Sequence, residues 1–261
     1  MFSNQKQVLS YNIIKLISKL NAFLIMKKIR LIGLAALVLG LAGCDSATDE
    51  QSIKDMYDTT PAVVRQIDTK KKSIAFVIDT SGSMNDKLNG ERKIDSVKKS
   101  LDEILKIYNQ YSEENNNVEA GVFYFSSYGV KNLVPIEKFD YNKITEKTRG
   151  LSADSGTPIG IALAYAEREL DKKATGSKNI VLLTDGMSNS GVNPDDVWER
   201  ILYTNKTIGD SPTNLYIVAF NTSKAYFKEL AELGAVIYEA KDASELSQVL
   251  KDNTGKILEK Y

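Results

Sequence analysis

The chain has 261 residues, in which 34 Lys and Arg balance 34 Asp and Glu, so a net charge of zero gives it no general attraction for nucleic acid or anionic lipid. It contains no histidine, which excludes the commonest general base and any imidazole-ligated zinc or haem. Its single cysteine excludes an intramolecular disulfide and a thiolate cluster.

In chain order, residues 1–25 carry Val8, Leu9, Ile13, Leu16, Ile17 and Leu20 at helical spacing. They precede a complete export signal that opens with its own methionine. Residues 1–25 are therefore read as an over-extended start with no part in the fold, and Met26 as the initiator. Met26-Lys-Lys-Ile-Arg30 is a short basic region, Leu31 to Leu41 is almost wholly apolar, and Leu41-Ala-Gly-Cys44 closes the segment, the build of a signal peptide over residues 26–43. The apolar run is shorter than the roughly 20 residues of a transmembrane helix.

The four closing residues resemble a bacterial lipobox. That resemblance implies that Cys44 is acylated and becomes the first residue of a mature lipoprotein, held to a membrane on the extracytoplasmic side of the cell envelope. Asp45 behind it favours the inner membrane if the source is Gram-negative. Residues 44–72 then read as a polar tether, with a root-mean-square reach on the order of 30 Å if wholly flexible. Within it, Ile53 to Val64 is apolar enough to pack on the domain behind it.

From Ser73 the pattern alternates. Strands are predicted over 74–78, 118–125, 180–183, 215–220 and 236–238, and helices over 93–108, 159–170, 194–203, 224–233 and 244–258. The strand segments are short and rich in Val and Ile, as when both faces are covered. In the first helix Ile94, Val97, Leu101, Ile104, Leu105 and Tyr108 trace one face, with lysines between them. The alternation predicts an α/β domain over residues 73–261, with a doubly wound, mostly parallel central sheet flanked by helices.

Five oxygen-bearing residues stand where such a sheet would bring its loops together. Asp79, Ser81 and Ser83 follow the first strand, Thr157 stands at the entrance to a helix, and Asp185 follows the strand ending near Leu183. Carboxylates and hydroxyls without thiolate or imidazole suit a hard divalent cation such as Mg²⁺. Any one of these residues alone would read as a turn or capping residue; the conjunction of three loops favours a metal site.

Asp79-Thr-Ser-Gly-Ser83 has the Asp-x-Ser-x-Ser form of a metal-ion-dependent adhesion site, and the chain from Ser73 onward resembles a von Willebrand factor type A domain, with its Rossmann-like sheet. Thr157, in Ser155-Gly-Thr-Pro-Ile-Gly160, matches that site's second loop, and Asp185, in Leu182-Leu-Thr-Asp-Gly186, matches the third. The resemblance implies a metal held by Asp79, Ser81, Ser83, Thr157 and Asp185 (Mg²⁺, or Mn²⁺ or Ca²⁺ in its place) and a protein partner that offers it an Asp or Glu carboxylate. Asp86 has an offset like that of a second metal site in integrin β subunits, but the next acid of that pattern is Lys87, so a solvated loop is preferred. Asp154 stands equally as an outer-shell carboxylate or an exposed loop acid.

Enzymatic readings fare less well. A haloacid-dehalogenase-like phosphotransferase needs a second acid two residues after the strand-end aspartate, and that position is Ser81. A dinucleotide site needs Gly-x-Gly-x-x-Gly, and Asp79 to Met84 holds one glycine. The expectation is a non-enzymatic, membrane-anchored protein that binds a partner through metal, in adhesion or envelope-complex assembly. The alternatives are a metal-dependent envelope hydrolase or phosphotransferase, and a metal-free scaffold.

Overall fold

Five consecutive apolar residues, Ile74 to Ile78, are wholly buried. Alternation along the strand sends Ile74, Phe76 and Ile78 into one core and Ala75 and Val77 into another. Such a strand must be covered on both sides, which places it inside the sheet. In this computed structural model, which describes residues 68–154 and 156–259, it is the third of six strands.

The strands are β1 (Asp68–Asp79), β2 (Lys87–Leu88), β3 (Glu91–Arg92), β4 (Val118–Ser126), β5 (Gly129–Lys138), β6 (Gly176–Thr184), β7 (Asn214–Phe220) and β8 (Val236–Ala240). The helices are α1 (Lys93–Asn115), α2 (Tyr141–Arg149), α3 (Ile159–Lys173), α4 (Pro194–Ile208), α5 (Lys228–Glu232) and α6 (Ala243–Glu259). The main sheet runs β5-β4-β1-β6-β7-β8, parallel except for the antiparallel edge strand β5, while β2 and β3 form a small hairpin. Leu101 and Ile104 of α1 and Leu246 and Leu250 of α6 cover one face; Leu163 of α3, Trp198 of α4 and Leu230 of α5 cover the other. The doubly wound α/β architecture expected from the sequence is the one observed.

Several elements differ from the sequence expectation. β1 begins at Asp68, inside the segment read as tether, and Lys72 there is buried and in register with Val118 and Ser177. β5 was not predicted because Pro135 interrupts it; an edge strand tolerates a proline, whose missing N–H faces no partner strand. α2 was not predicted because Ile144 is its single buried apolar residue; the Asp140 side chain caps it, accepting from the Lys143 N–H at 2.9 Å. α1 continues to Asn115, ending where Asn116 turns left-handed at φ 48°. The predicted helix 224–233 is a 3₁₀ turn, Lys224–Phe227, followed by the short α5. The over-extended start, the signal segment, Cys44, Asp45 and the chain up to residue 67 lie outside the described residues.

At the amino end of the sheet a buried lysine staples three elements. Lys178 of β6 and Glu167 of α3 are each 1% exposed and meet at 2.9 Å, and the same ammonium reaches Asp171 at 2.7 Å and Asp210 at 3.1 Å. Glu167 Oε1 also accepts from Asn205 and from Thr213, each at 2.8 Å. Removing one partner of such a pair strands the other charge in the interior. Lys178→Met should therefore cost about 3–5 kcal/mol in urea unfolding, and adding Glu167→Met should recover much of the loss. Unfolding curves of the two variants check this.

Candidate metal site

β1 and β6 are neighbours whose onward connections leave in opposite directions, α1 toward β4 and α4 toward β7. The crevice beyond their carboxyl ends is the topological switch point, where open α/β sheets place ligands. Pairing of Ile78 with Leu183 sets Asp79, the last residue of β1, beside Thr184, the last of β6.

Asp79 is completely buried. Its Oδ1 accepts from the Ser81 N–H at 2.7 Å, curling the loop back on itself, and its Oδ2 accepts from the Thr184 hydroxyl at 2.6 Å. Ser81 Oγ lies 3.2 Å from Ser83 Oγ, and Ser83 Oγ donates to Asp185 Oδ1 at 2.7 Å. The chain of oxygens ends on a cation: Lys93 Nζ donates to Asp185 Oδ2 at 2.8 Å.

The second loop joins through its backbone. The Thr157 N–H donates to Asn189 Oδ1 at 2.8 Å, while the Thr157 carbonyl accepts from Ser188 Oγ and the Asn189 N–H, each at 3.2 Å. Asp154 N–H donates to the Thr80 carbonyl at 2.6 Å, tying this loop to the first. Two glycines permit the closeness. A Cβ on Gly156, at φ +75°, would meet Ser127 Oγ at 2.0 Å, and one on Gly160 would meet the Val192 carbonyl oxygen at 2.1 Å.

Asp79, Ser81, Ser83 and Asp185 thus form one connected group, with Thr157 buried on a loop tied to the one that follows Asp185. Asp86 and Asp154 are exposed at the rim and held by their backbones: Asp86 N–H donates to the Ser83 carbonyl and the Asp86 carbonyl accepts from Lys93 N–H, each at 3.0 Å. Sequence reasoning missed Lys93, Thr184, Ser188 and Asn189. For Lys93 one signal existed: a lysine at the first position of a helix opposes the helix dipole and needs a nearby carboxylate.

Burial pushes the Asp79 carboxyl up to about 6; the bonds from Ser81 and Thr184 work against burial, and the charge of Asp185 adds to it. Among the described residues no three His, Cys, Asp or Glu side chains gather as a metal cage. The candidate set is of another kind, two carboxylates among hydroxyls. An all-oxygen set around a buried carboxylate that resists ionisation without a counter-charge suits a hard divalent cation.

Residues 74–188 match the family model of the von Willebrand factor type A domain. Over that segment the chain matches a von Willebrand factor type A (VWA) domain, and the sheet with its flanking helices has the corresponding fold. The uncharacterized protein YwmC of Bacillus subtilis is 25% identical over 191 residues, spanning 68% of this chain and 81% of YwmC. Among solved structures, the pilus adhesin SpaC from Lactobacillus rhamnosus GG superposes with a TM-score of 0.56 at 17% identity, covering 75% of this chain and 31% of SpaC. The PilB minor pilin from Streptococcus sanguinis gives 0.55 at 18% identity, covering 77% of this chain and 63% of PilB. The chain therefore spans less than two thirds of either pilus protein, and at these identities the likeness is one of fold.

The raised Asp79 value carries a pH dependence. Its folded value lies above the ordinary 3.8, so between the two the folded state holds a proton that the unfolded state has released, and stability falls as pH rises through that window. With divalent cations chelated, wild type should lose on the order of 3 kcal/mol relative to Asp79→Asn between about pH 4 and pH 7. Denaturant unfolding of both proteins across that range measures the difference; a constant gap would contradict the assignment.

Proposed function

We propose that the protein is a membrane-anchored lipoprotein whose VWA domain binds a divalent cation, Mg²⁺ or else Mn²⁺ or Ca²⁺, and through it an acidic residue of a protein partner. The observation that carries this reading is the unbroken run of oxygens from Ser81 through Ser83 to Asp185 at the switch point, beside the buried Asp79. The hydroxyls of Ser81, Ser83 and Thr157 and the carboxylates of Asp79 and Asp185 would hold the ion, which would supply an electrophilic position for one incoming carboxylate. Ser81 and Ser83 contribute no charge, and Asp79 is fixed by its bonds to Ser81 and Thr184 before any ligand arrives.

The biological role proposed is adhesion or assembly of an envelope complex, without catalysis. The fold likeness to a pilus adhesin and a minor pilin supports this choice of partner class. Lipidation at Cys44 rests on Leu41-Ala-Gly-Cys44 behind a basic and apolar signal. Asp68 and Asp79 are the two ends of β1, so the chain enters that strand at the end opposite the candidate site.

Asp79→Ala should abolish Mg²⁺ and Mn²⁺ binding in calorimetry while the circular dichroism of the fold is retained. Wild-type metal affinity in that variant would refute the site. Partner capture from envelope extract should be lost in chelator, return with Mg²⁺, and weaken in Thr157→Ala; a partner indifferent to chelation would refute the mechanism. The mature chain should carry diacyl or triacyl mass on Cys44, and Cys44→Ser should release the protein from membranes or block its maturation. An unmodified thiol on membrane-bound wild type would count against the anchor.

A further inference from the structure

Among the described residues Lys93 is the one cation bonded to the candidate site, and nothing in the expected ligand set accounts for it. Its side chain is only 10% exposed and its ammonium lies 2.8 Å from an Asp185 carboxylate that is wholly enclosed. The first turn of α1 is an unfavourable place for a positive charge, because the helix dipole repels it. The stem nevertheless folds inward, while the Lys93 N–H donates to the Asp86 carbonyl at 3.0 Å and so pins the end of the Ser81–Ser83 loop. Two neighbouring basic residues are engaged elsewhere: Arg92 pairs with Asp95 at 2.7 Å, and Lys99 pairs with Glu91.

The balance of charge gives this lysine a role. Asp79 and Asp185 would offer a divalent ion two negative charges, and Lys93 cancels one of them. The site with its ion would then retain a net positive charge, where without the lysine it would be neutral. Such a surplus weakens the hold on the metal and strengthens the hold on an anion, because the interactions lie in a buried, weakly screened region. Asp185 is shared between Ser83 on Oδ1 and Lys93 on Oδ2, so the ammonium acts on a residue of the ligand set and not through a distant field.

We propose that Lys93 is a built-in counter-cation that makes metal binding and carboxylate binding interdependent: it keeps Mg²⁺ affinity low until an acidic ligand is present and raises the affinity for that ligand. This rests on the proposed metal site and deepens it. By linkage, an anion that binds the loaded site must raise the apparent Mg²⁺ affinity by the same factor by which Mg²⁺ raises its own.

The test is calorimetric titration of Mg²⁺ into the whole chain, with and without acetate, for wild type, Lys93→Gln, Lys93→Met and Lys93→Arg. Removal of the charge in either neutral variant should tighten Mg²⁺ binding about tenfold, the order expected for one unit charge at partly screened short range. The acetate enhancement of Mg²⁺ affinity, present in wild type and in Lys93→Arg, should shrink several-fold in the neutral variants. A lysine that merely braces the loop would give losses in both titrations, so the opposed signs are diagnostic. Normal Mg²⁺ binding in wild type, with equal or weaker binding in the folded neutral variants, would overturn the role of Lys93 alone. Absence of acetate enhancement in wild type would overturn it without recourse to any variant. Failure of wild type to take up Mg²⁺ or Mn²⁺ at all would overturn the metal site itself, and this inference with it.

Discussion

The pairing of β1 with β6 is the constraint on which the site depends. It sets a carboxylate, Asp79, at the carboxyl end of a wholly buried strand and leaves it two donors, the Ser81 N–H and the Thr184 hydroxyl. An ionised carboxylate enclosed in this way is costly unless a positive charge stands nearby. The loops respond in kind: Ser83 reaches across to Asp185 on the neighbouring strand end, and Thr80 is bonded both to Phe125 and to Asp154. The rim is held by polar contacts among loops, while the two apolar cores fix the strand ends that carry those loops.

The central part of the fold was legible because its signals are strong and local. Ile74 to Ile78, Ile180 to Leu183 and Leu215 to Phe220 are uninterrupted apolar runs, and the helices between them show one apolar face each. The missed elements carry weak signals for physical reasons. β5 lies at an edge and α2 buries little, so neither needs the sequence periodicity that deep burial imposes. The early start of β1 was hidden because Lys70 to Lys72 fell at the end of the segment read as polar tether, whereas Lys72 is buried in register with β4 and β6.

The site was legible in its residue types and less so in its wiring. Asp79, Ser81, Ser83 and Asp185 could be named because they follow strand-like runs, and the fold joins them by hydrogen bonds. Thr157 could be named, but not that its backbone would be gripped by Ser188 and Asn189 from the third loop. Thr184 was passed over because a threonine ending a strand is ordinary. Its importance comes only from lying next to Asp79 across the sheet, a fact of register that no local pattern carries.

Two of the buried lysines, Lys178 and Lys93 at opposite ends of the sheet, show how position decides what a charge can do. Lys178 is enclosed and contacted by three carboxylates from beyond its own strand. It cannot leave or be replaced without unbalancing the interior, so its role is structural. Lys93 faces one carboxylate at a rim where Ser83 is exposed and where Ser81 and Asp79 offer further oxygens. The proposed metal would use those same oxygens, with the lysine in place. One end of the sheet therefore uses a lysine to lock acids in place, and the other holds acids in a state whose charge is only half compensated. That residual charge, set against largely neutral hydroxyls, is what the proposed metal would meet at the carboxyl end of the sheet.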